Sequence, residues 1–172
     1  RRPPISSRKA SSAASDVYKR QRYPKGIVTD DFNALERTDD GVDILCKYGD
    51  DILIVGVGTF ARRAVAAAHK LAEQGIQATV VDPRWILPIP ASILAQACQY
   101  QMVVVYEDNG INGGIGSVLG NALRMHECDV PLRQIALPQE FLPVGTRKTL
   151  LEERGLDAES AAERMQDWFR HL

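Results

Sequence analysis

Two glycine-rich turns, each following an apolar run, are the features of this sequence with the most evident chemistry. They are residues 56–59 (GVGT) and residues 110–116 (GINGGIG). Backbone N–H groups in such a turn can bind an anion where the turn opens a helix. Neither turn is a Walker A motif, because no Gly-Lys-Ser/Thr follows, and neither is the GxGxxG of a dinucleotide-binding fold. Two interpretations therefore stay open: tight packing or a phosphate site.

The adjacent carboxylates Glu107 and Asp108 end an apolar run of strand type. No Ser-His-Asp or Cys-His arrangement accompanies them. We interpret the pair as a solvated strand end or a contact with another domain. We therefore assign no catalytic residue within the chain.

The cysteines and histidines are too scattered for a metal site, since no Cys-x-x-Cys pair or His-x-His spacing occurs. An odd number of cysteines without metal spacing predicts reduced, mostly buried thiols in a reducing compartment. The residues concerned are Cys46, Cys98 and Cys128, and His69, His126 and His171. His69 falls on the polar side of a predicted helix, so we expect it to be exposed.

Alternating runs of strand and helix type predict the elements that position these turns. Residues 42–48 and 52–57 are β-branched runs separated by Gly-Asp-Asp, which predicts a hairpin. The apolar side chains that follow recur at helical spacing, with Thr59 as N-cap and Gly75 as stop. Buried strands are predicted over residues 77–84 and 102–108.

The remaining segments continue the alternation. Pro90 opens a short helix that ends at Cys98, the second glycine-rich turn opens another helix, and residues 131–137 read as a strand. Two closing helices have Thr146 and Asp157 as N-caps, with Gly155 as the stop between them. Apolar strands alternating with helices are typical of a sheet covered on both faces. We expect a three-layer α/β/α sandwich with a mostly parallel sheet of about five strands and one antiparallel edge strand.

The composition is that of a globular domain of ordinary size. The 172 residues are 45% hydrophobic and 25% charged, values common among globular proteins. No apolar run approaches the roughly 20 residues of a membrane span, and no apolar segment follows the basic N-terminus to make a signal peptide. We expect a cytoplasmic protein with no membrane contact.

The N-terminal residues differ in character from the rest. Residues 1–21 carry a net charge of +5, whereas residues 22–172 carry −6. A basic arm would suit nucleic acid, but residues 11–21 (SSAASDVYKRQ) resemble the in-frame translation of a sequencing-library adapter. We therefore expect residues 1–21 to be a non-native segment without a packed position, and we expect no nucleic-acid partner. Residues 22–41 are interpreted as a linker, and residues 42–172 as the domain.

Four motifs carry a resemblance to a known family. They are RYPKG at 22–26, VVDPRWILPIP at 80–90, VYEDNGINGGIGS at 105–117 and LPQEFLPVGTRKTLLEERGLDAES at 137–160. Their order resembles the C-terminal part of the 1-deoxy-D-xylulose-5-phosphate synthase family, whose third domain is similar to that of transketolases. Gln139 replaces the usual acid after Leu-Pro, and Ile89-Pro90 replaces a Leu-Asp pair, which affects only local packing.

The resemblance implies a function for the whole enzyme. The family condenses pyruvate with glyceraldehyde 3-phosphate, releasing CO₂, and uses thiamine diphosphate and Mg²⁺. Its product feeds isoprenoid (terpenoid), thiamine and pyridoxal synthesis. The cofactor sites belong to upstream domains, so the resemblance implies that residues 22–172 are inactive alone and that the full-length enzyme is a homodimer. Arg22 matches the residue that binds the substrate phosphate, a role that suits the fixed donor fork of guanidinium.

Three alternatives stay open. The chain could be the C-terminal domain of a transketolase or of a 2-oxo acid dehydrogenase beta subunit, since both share the first two motifs loosely. It could also be a non-catalytic regulatory module that binds a nucleotide at its glycine-rich turns. The LPxxF…GLDA ending favours the synthase.

Overall fold

The computed structural model of the chain describes residues 33–172, which form a mixed sheet with helices on both faces. The strands are β1 (Glu36–Arg37), β2 (Asp43–Lys47), β3 (Ile52–Gly56), β4 (Ala78–Asp82), β5 (Met102–Gly110) and β6 (Leu132–Leu137). The helices are α1 (Ala61–Glu73), α2 (Ala91–Ala97), α3 (Ile115–Met125), α4 (Arg147–Glu153) and α5 (Ala158–Arg170). A short 3-10 turn, Gly58–Phe60, leads into α1.

The strands lie in the order β1-β2-β4-β3-β5-β6. Neighbouring pairs among β3, β4, β5 and β6 are parallel, whereas β2 runs antiparallel to β4 and β1 antiparallel to β2. The predicted fold class, a mostly parallel sheet with antiparallel pairing at one edge, is confirmed. The sheet has six strands, where about five were expected. The additional strand is β1, whose two residues contain no apolar run from which a strand could be predicted.

The predicted hairpin between β2 and β3 is wrong, because β4 lies between these two strands. The connection at residues 49–51 passes over the beginning of β4 and is fastened to it. Thr79 donates a hydrogen bond from its hydroxyl to the carbonyl of Gly49 (2.9 Å), and the Asp51 carboxylate accepts one from the backbone N–H of Gln77 (2.7 Å). These hydrogen bonds pair polar groups of the loop with the beginning of β4, which is distant in sequence.

Side chains of the central strands alternate between two apolar cores. In β3, Ile52 and Ile54 pack with α1 and α5, whereas Leu53 and Val55 pack with α2 and α3. All four side chains are buried. The strand is therefore covered on both faces, as a continuous apolar run predicts.

Two of the predicted N-caps and the predicted glycine stop between them lie where the sequence places them. Thr146 and Asp157 are the N-caps of α4 and α5, and each accepts a backbone N–H on its side-chain oxygen. Gly155 takes a positive φ of 63° between these helices, as its role as a stop requires. The prediction for Thr59 is wrong: it lies inside the 3-10 turn, and Phe60 occupies the N-cap of α1 without a side-chain bond.

The prediction of three reduced thiols is wrong for two of them. Cys98 and Cys128 form a disulfide across 30 residues of sequence, with Cα atoms 5.6 Å apart. Because α2 and α3 pack on the same face of the sheet, the end of α2 meets the turn that follows α3. Cys46 is free and buried, as expected, and burial raises the pKa of its thiol.

Candidate functional site

The carboxyl ends of β3 and β5 form the crevice of this sheet. The two strands are adjacent and parallel, but α1 follows β3 on one face while α3 follows β5 on the other. Ligands of open α/β sheets bind at such a point. Both glycine-rich turns lie here, together with the pair Glu107 and Asp108.

Glu107 fills the anion site that the second glycine-rich turn offers. Its carboxylate accepts the backbone N–H groups of Ile115 and Gly116, both at 2.9 Å, and the side-chain amide of Asn109 at 3.2 Å. A Cβ on Gly114 would lie 2.5 Å from Glu107 Oε1. The glycines therefore let the beginning of α3 close around a carboxylate of the same chain. Glu107 is fully buried, so its interpretation as a solvated strand end is wrong.

Removal of this carboxylate is expected to expose an anion site that small anions refill. Glu107→Ala leaves two buried N–H groups without a partner, which should lower the free energy of unfolding by about 1–3 kcal/mol. Urea denaturation with and without sodium formate, against equal sodium chloride, measures the effect. Formate should restore part of the loss in this variant only. Asp108→Ala serves as the control, because Asp108 caps no helix, and a response to formate equal to that of Glu107→Ala would contradict the assignment.

Asp108 links the crevice to the closing helices. Its carboxylate accepts a hydrogen bond from Arg147 Nη1 at 2.5 Å, and both side chains are partly exposed. Arg147 Nη2 also donates to the hydroxyl of Thr59 at 3.4 Å. One guanidinium at the beginning of α4 thus joins the loop after β3 to the end of β5.

A second polar cluster lies at the same edge, around Asp43 at the beginning of β2. Arg37 Nε and Nη2 donate to the two carboxylate oxygens of Asp43 at 2.5 and 3.1 Å, and Arg84 Nη1 donates to Oδ2 at 3.0 Å. Asp43 is buried, whereas both arginines keep more than half of their side chains exposed. Arg84 adopts a positive φ of 54°, unusual for a residue with a side chain, and its N–H donates to Asp82 Oδ1. The remaining guanidinium donors have the chemistry to bind an anion.

The Asp43 cluster predicts a specific acid response. Hydrogen bonds from Arg37 and then Arg84 hold the pKa of Asp43 below its ordinary value, although desolvation of the carboxylate opposes them. A lowered folded-state pKa adds stability that is present above about pH 4 and lost as the pH falls through the folded-state pKa. Asp43→Asn should therefore be less stable at neutral pH, and the difference from the wild type should shrink in acid. Urea midpoints measured across this range test it.

The control for this prediction is Asp39→Asn, which removes an exposed carboxylate from the turn between β1 and β2 and leaves both arginine contacts of Asp43 in place. Its stability profile should run parallel to that of the wild type. A constant difference between Asp43→Asn and the wild type at every pH would contradict the account.

Comparison with known proteins identifies the fold family. The family model described as "Transketolase, C-terminal domain" matches residues 40–160. The chain belongs to this family. A structure described as "Split gene transketolase, inactive beta4 tetramer" matches this transketolase C-terminal domain with a TM-score of 0.70 and 28% identity, over 80% of this chain and 46% of that one. Transketolase from Pichia stipitis, in its R525L variant, matches with a TM-score of 0.58 at 21% identity, over 77% of this chain and 18% of its own.

Curated relatives of this transketolase C-terminal domain are more similar. The 1-deoxy-D-xylulose-5-phosphate synthases of Rhodococcus jostii and Mycolicibacterium gilvum are each 48% identical to it, and that of Mycobacterium tuberculosis is 45% identical. The match covers 88% of this chain in all three cases. The chain spans about a quarter of the length of these relatives (24%).

The transketolase C-terminal domain does not bring all the predicted residues together. Arg22 and the RYPKG motif lie outside the described residues, as does the adapter-like segment. His69 is exposed, as predicted, with its Nδ1 2.6 Å from the hydroxyl of Tyr48. Within residues 33–172, no three His, Cys, Asp or Glu side chains come together as a metal site. No helix in this range is both long and apolar enough to span a bilayer.

Sequence reasoning missed the Asp43 cluster entirely. The DPR sequence at the end of β4 gave a local signal for Arg84. Asp43 and Arg37 carried none, because antiparallel pairing of β2 with its neighbours brings them to this edge. Glu107 was singled out, but its role as the internal ligand of the glycine-rich turn was not foreseen.

Proposed function

We propose that the chain is the C-terminal portion of a 1-deoxy-D-xylulose-5-phosphate synthase, which condenses pyruvate with glyceraldehyde 3-phosphate and releases CO₂. The observation that carries the proposal is the 45–48% identity to synthases over 88% of the chain. The two transketolases compared above are 28% and 21% identical to it. The whole enzyme would supply a precursor of isoprenoids, thiamine and pyridoxal.

The proposed division of the chain follows its motifs. Residues 1–21 would be a non-native segment, residues 22–41 a linker from the preceding domain, and residues 42–172 the C-terminal domain. Full-length enzyme would be a cytoplasmic homodimer in which the upstream domains are partners of this one.

The second glycine-rich turn does not fit thiamine diphosphate. Its diphosphate needs free donors and, through Mg²⁺, several oxygen ligands. The backbone donors at the second glycine-rich turn are taken by Glu107. The same occupancy argues against a nucleotide at this turn. We propose that both the cofactor and Mg²⁺ belong to the upstream domains.

Calorimetric titration of the intact chain with thiamine diphosphate and Mg²⁺ tests this division. We expect no saturable heat and no synthase activity. Saturable binding at micromolar cofactor would contradict it. The positive control is a hybrid enzyme in which residues 22–172 replace the corresponding C-terminal quarter of the Rhodococcus jostii synthase, which should bind the cofactor and form 1-deoxyxylulose 5-phosphate.

A further inference from the structure

Large apolar side chains are exposed on three loops at one edge of the sheet. Of the eleven exposed large apolar residues among residues 33–172, six lie in the loops that follow β4, β5 and β6. They are Trp85, Leu87, Ile111, Phe141, Leu142 and Val144. Phe141 and Val144 are fully exposed, and Trp85 is 72% exposed. Monomeric proteins seldom leave such a group uncovered without a function.

These side chains share one surface because the strands before them are parallel. β4, β3, β5 and β6 are consecutive neighbours, so their carboxyl ends meet at one edge. With strands about 4.8 Å apart, the loops after β4 and β6 lie roughly 15 Å from each other. We call the six residues and the crevice between them the carboxyl-edge surface.

The loops hold these residues outward. In the loop after β4, Ile86 and Ile89 pack into the core under α2 and α3, while Trp85 and Leu87 face solvent. The loop after β6 is anchored at its two ends, by the Glu140–Arg154 ion pair and by Thr146 at the beginning of α4. The exposure of these side chains therefore follows from the way the loops are anchored to the domain.

The centre of the carboxyl-edge surface is suited to burial. Glu107 has its hydrogen bonds satisfied within the chain, and Asp108 is paired with Arg147. A buried charge is tolerated where it is already paired and hydrogen-bonded. A partner covering the surface would leave neither carboxylate without a counterpart.

We propose that the carboxyl-edge surface is where this domain docks on the upstream domains of the same enzyme, which rests on the proposed function. The relatives are about four times as long as the matched part of the chain, so a large body of protein must contact the domain. Helices already cover both faces of the sheet. Elsewhere in residues 33–172 five large apolar side chains are exposed, and they are spread over several elements: Leu35, Tyr48, Val118, Met125 and Leu172. The carboxyl-edge surface therefore holds most of the exposed large apolar side chains of the described domain.

Hydroxyl-radical footprinting of the intact chain and of the Rhodococcus hybrid tests the proposal. Trp85 and Phe141 should be oxidised readily in the chain alone and about tenfold more slowly in the hybrid, as in the core of an interface. Met125, which is 78% exposed on the opposite edge, is the internal control and should react equally in both. Equal reactivity of Trp85 and Phe141 in both proteins would overturn the proposal. Protection in the chain alone that grows with its concentration would also overturn it, because the occupant would then be a second copy.

A variant separates docking from folding. Phe141→Ser with Val144→Ser should leave the melting temperature of the chain alone unchanged, since both side chains are fully exposed, and should lower that of the hybrid. Met125→Ser is the matched control and should lower neither. An unchanged melting temperature in the hybrid double variant would count against docking here. Neither readout needs synthase activity, so failure of the proposed function leaves this result interpretable.

Discussion

Replacement of Phe60 by alanine is expected to lower the free energy of unfolding by about 3–5 kcal/mol. Phe60 is completely buried, and its ring packs edge-to-face on Tyr106 with centroids 4.9 Å apart. The guanidinium groups of Arg63 and Arg147 lie 5.4 and 5.8 Å from the same ring. Truncation leaves a cavity beneath the crevice. A domain is typically stable by about 5–15 kcal/mol, so this loss would consume much of it.

Urea denaturation of the wild type, Phe60→Ala and Phe60→Leu measures this effect. Leucine keeps part of the apolar volume and should lose clearly less stability than alanine. A decrease in the free energy of unfolding below about 1 kcal/mol for Phe60→Ala would show that neighbouring side chains fill the cavity and that packing of Phe60 does not stabilise the crevice.

Replacement of Arg22 by alanine in the Rhodococcus hybrid is expected to lower kcat/KM for glyceraldehyde 3-phosphate roughly tenfold to a hundredfold. The loss corresponds to charge-assisted hydrogen bonds of roughly 1.5–3 kcal/mol. Arg22→Lys should recover only part of it, because a point charge lacks the bidentate fork. Steady-state kinetics with each variant measures the effect.

The matched control uses unphosphorylated glyceraldehyde as the acceptor. If Arg22 binds the phosphate, the loss should fall on the phosphorylated acceptor and spare the unphosphorylated one. Equal losses on both would assign Arg22 to the domain junction.

Local patterns in the sequence predicted local features of the fold. Apolar runs identified the buried strands, and Thr146, Asp157 and Gly155 marked helix ends, because these signals act within one turn. The position of β4 between β2 and β3 was not predictable in this way. It depends on contacts such as that of Asp51 with Gln77, which are distant in sequence.

The candidate site likewise combines features that local sequence indicated with features that depend on contacts distant in sequence. The glycines at 113, 114 and 116 left two interpretations open, tight packing or a phosphate site. In the structure the N–H groups of this turn bind the carboxylate of Glu107 on the preceding strand. The Asp43 cluster and the Cys98–Cys128 disulfide join residues that only the sheet order and the helix packing bring together. The spacing of residues along the sequence does not predict such contacts.

The proposed function makes this chain the C-terminal domain of a synthase. The most direct measurement is the rate of 1-deoxyxylulose 5-phosphate formation by the Rhodococcus hybrid, compared with its parent and with a second hybrid that carries the Pichia stipitis transketolase C-terminal domain. We expect activity within about tenfold of the parent for the first hybrid and none for the second. Equal inactivity of both hybrids, each folded and binding thiamine diphosphate, would contradict it.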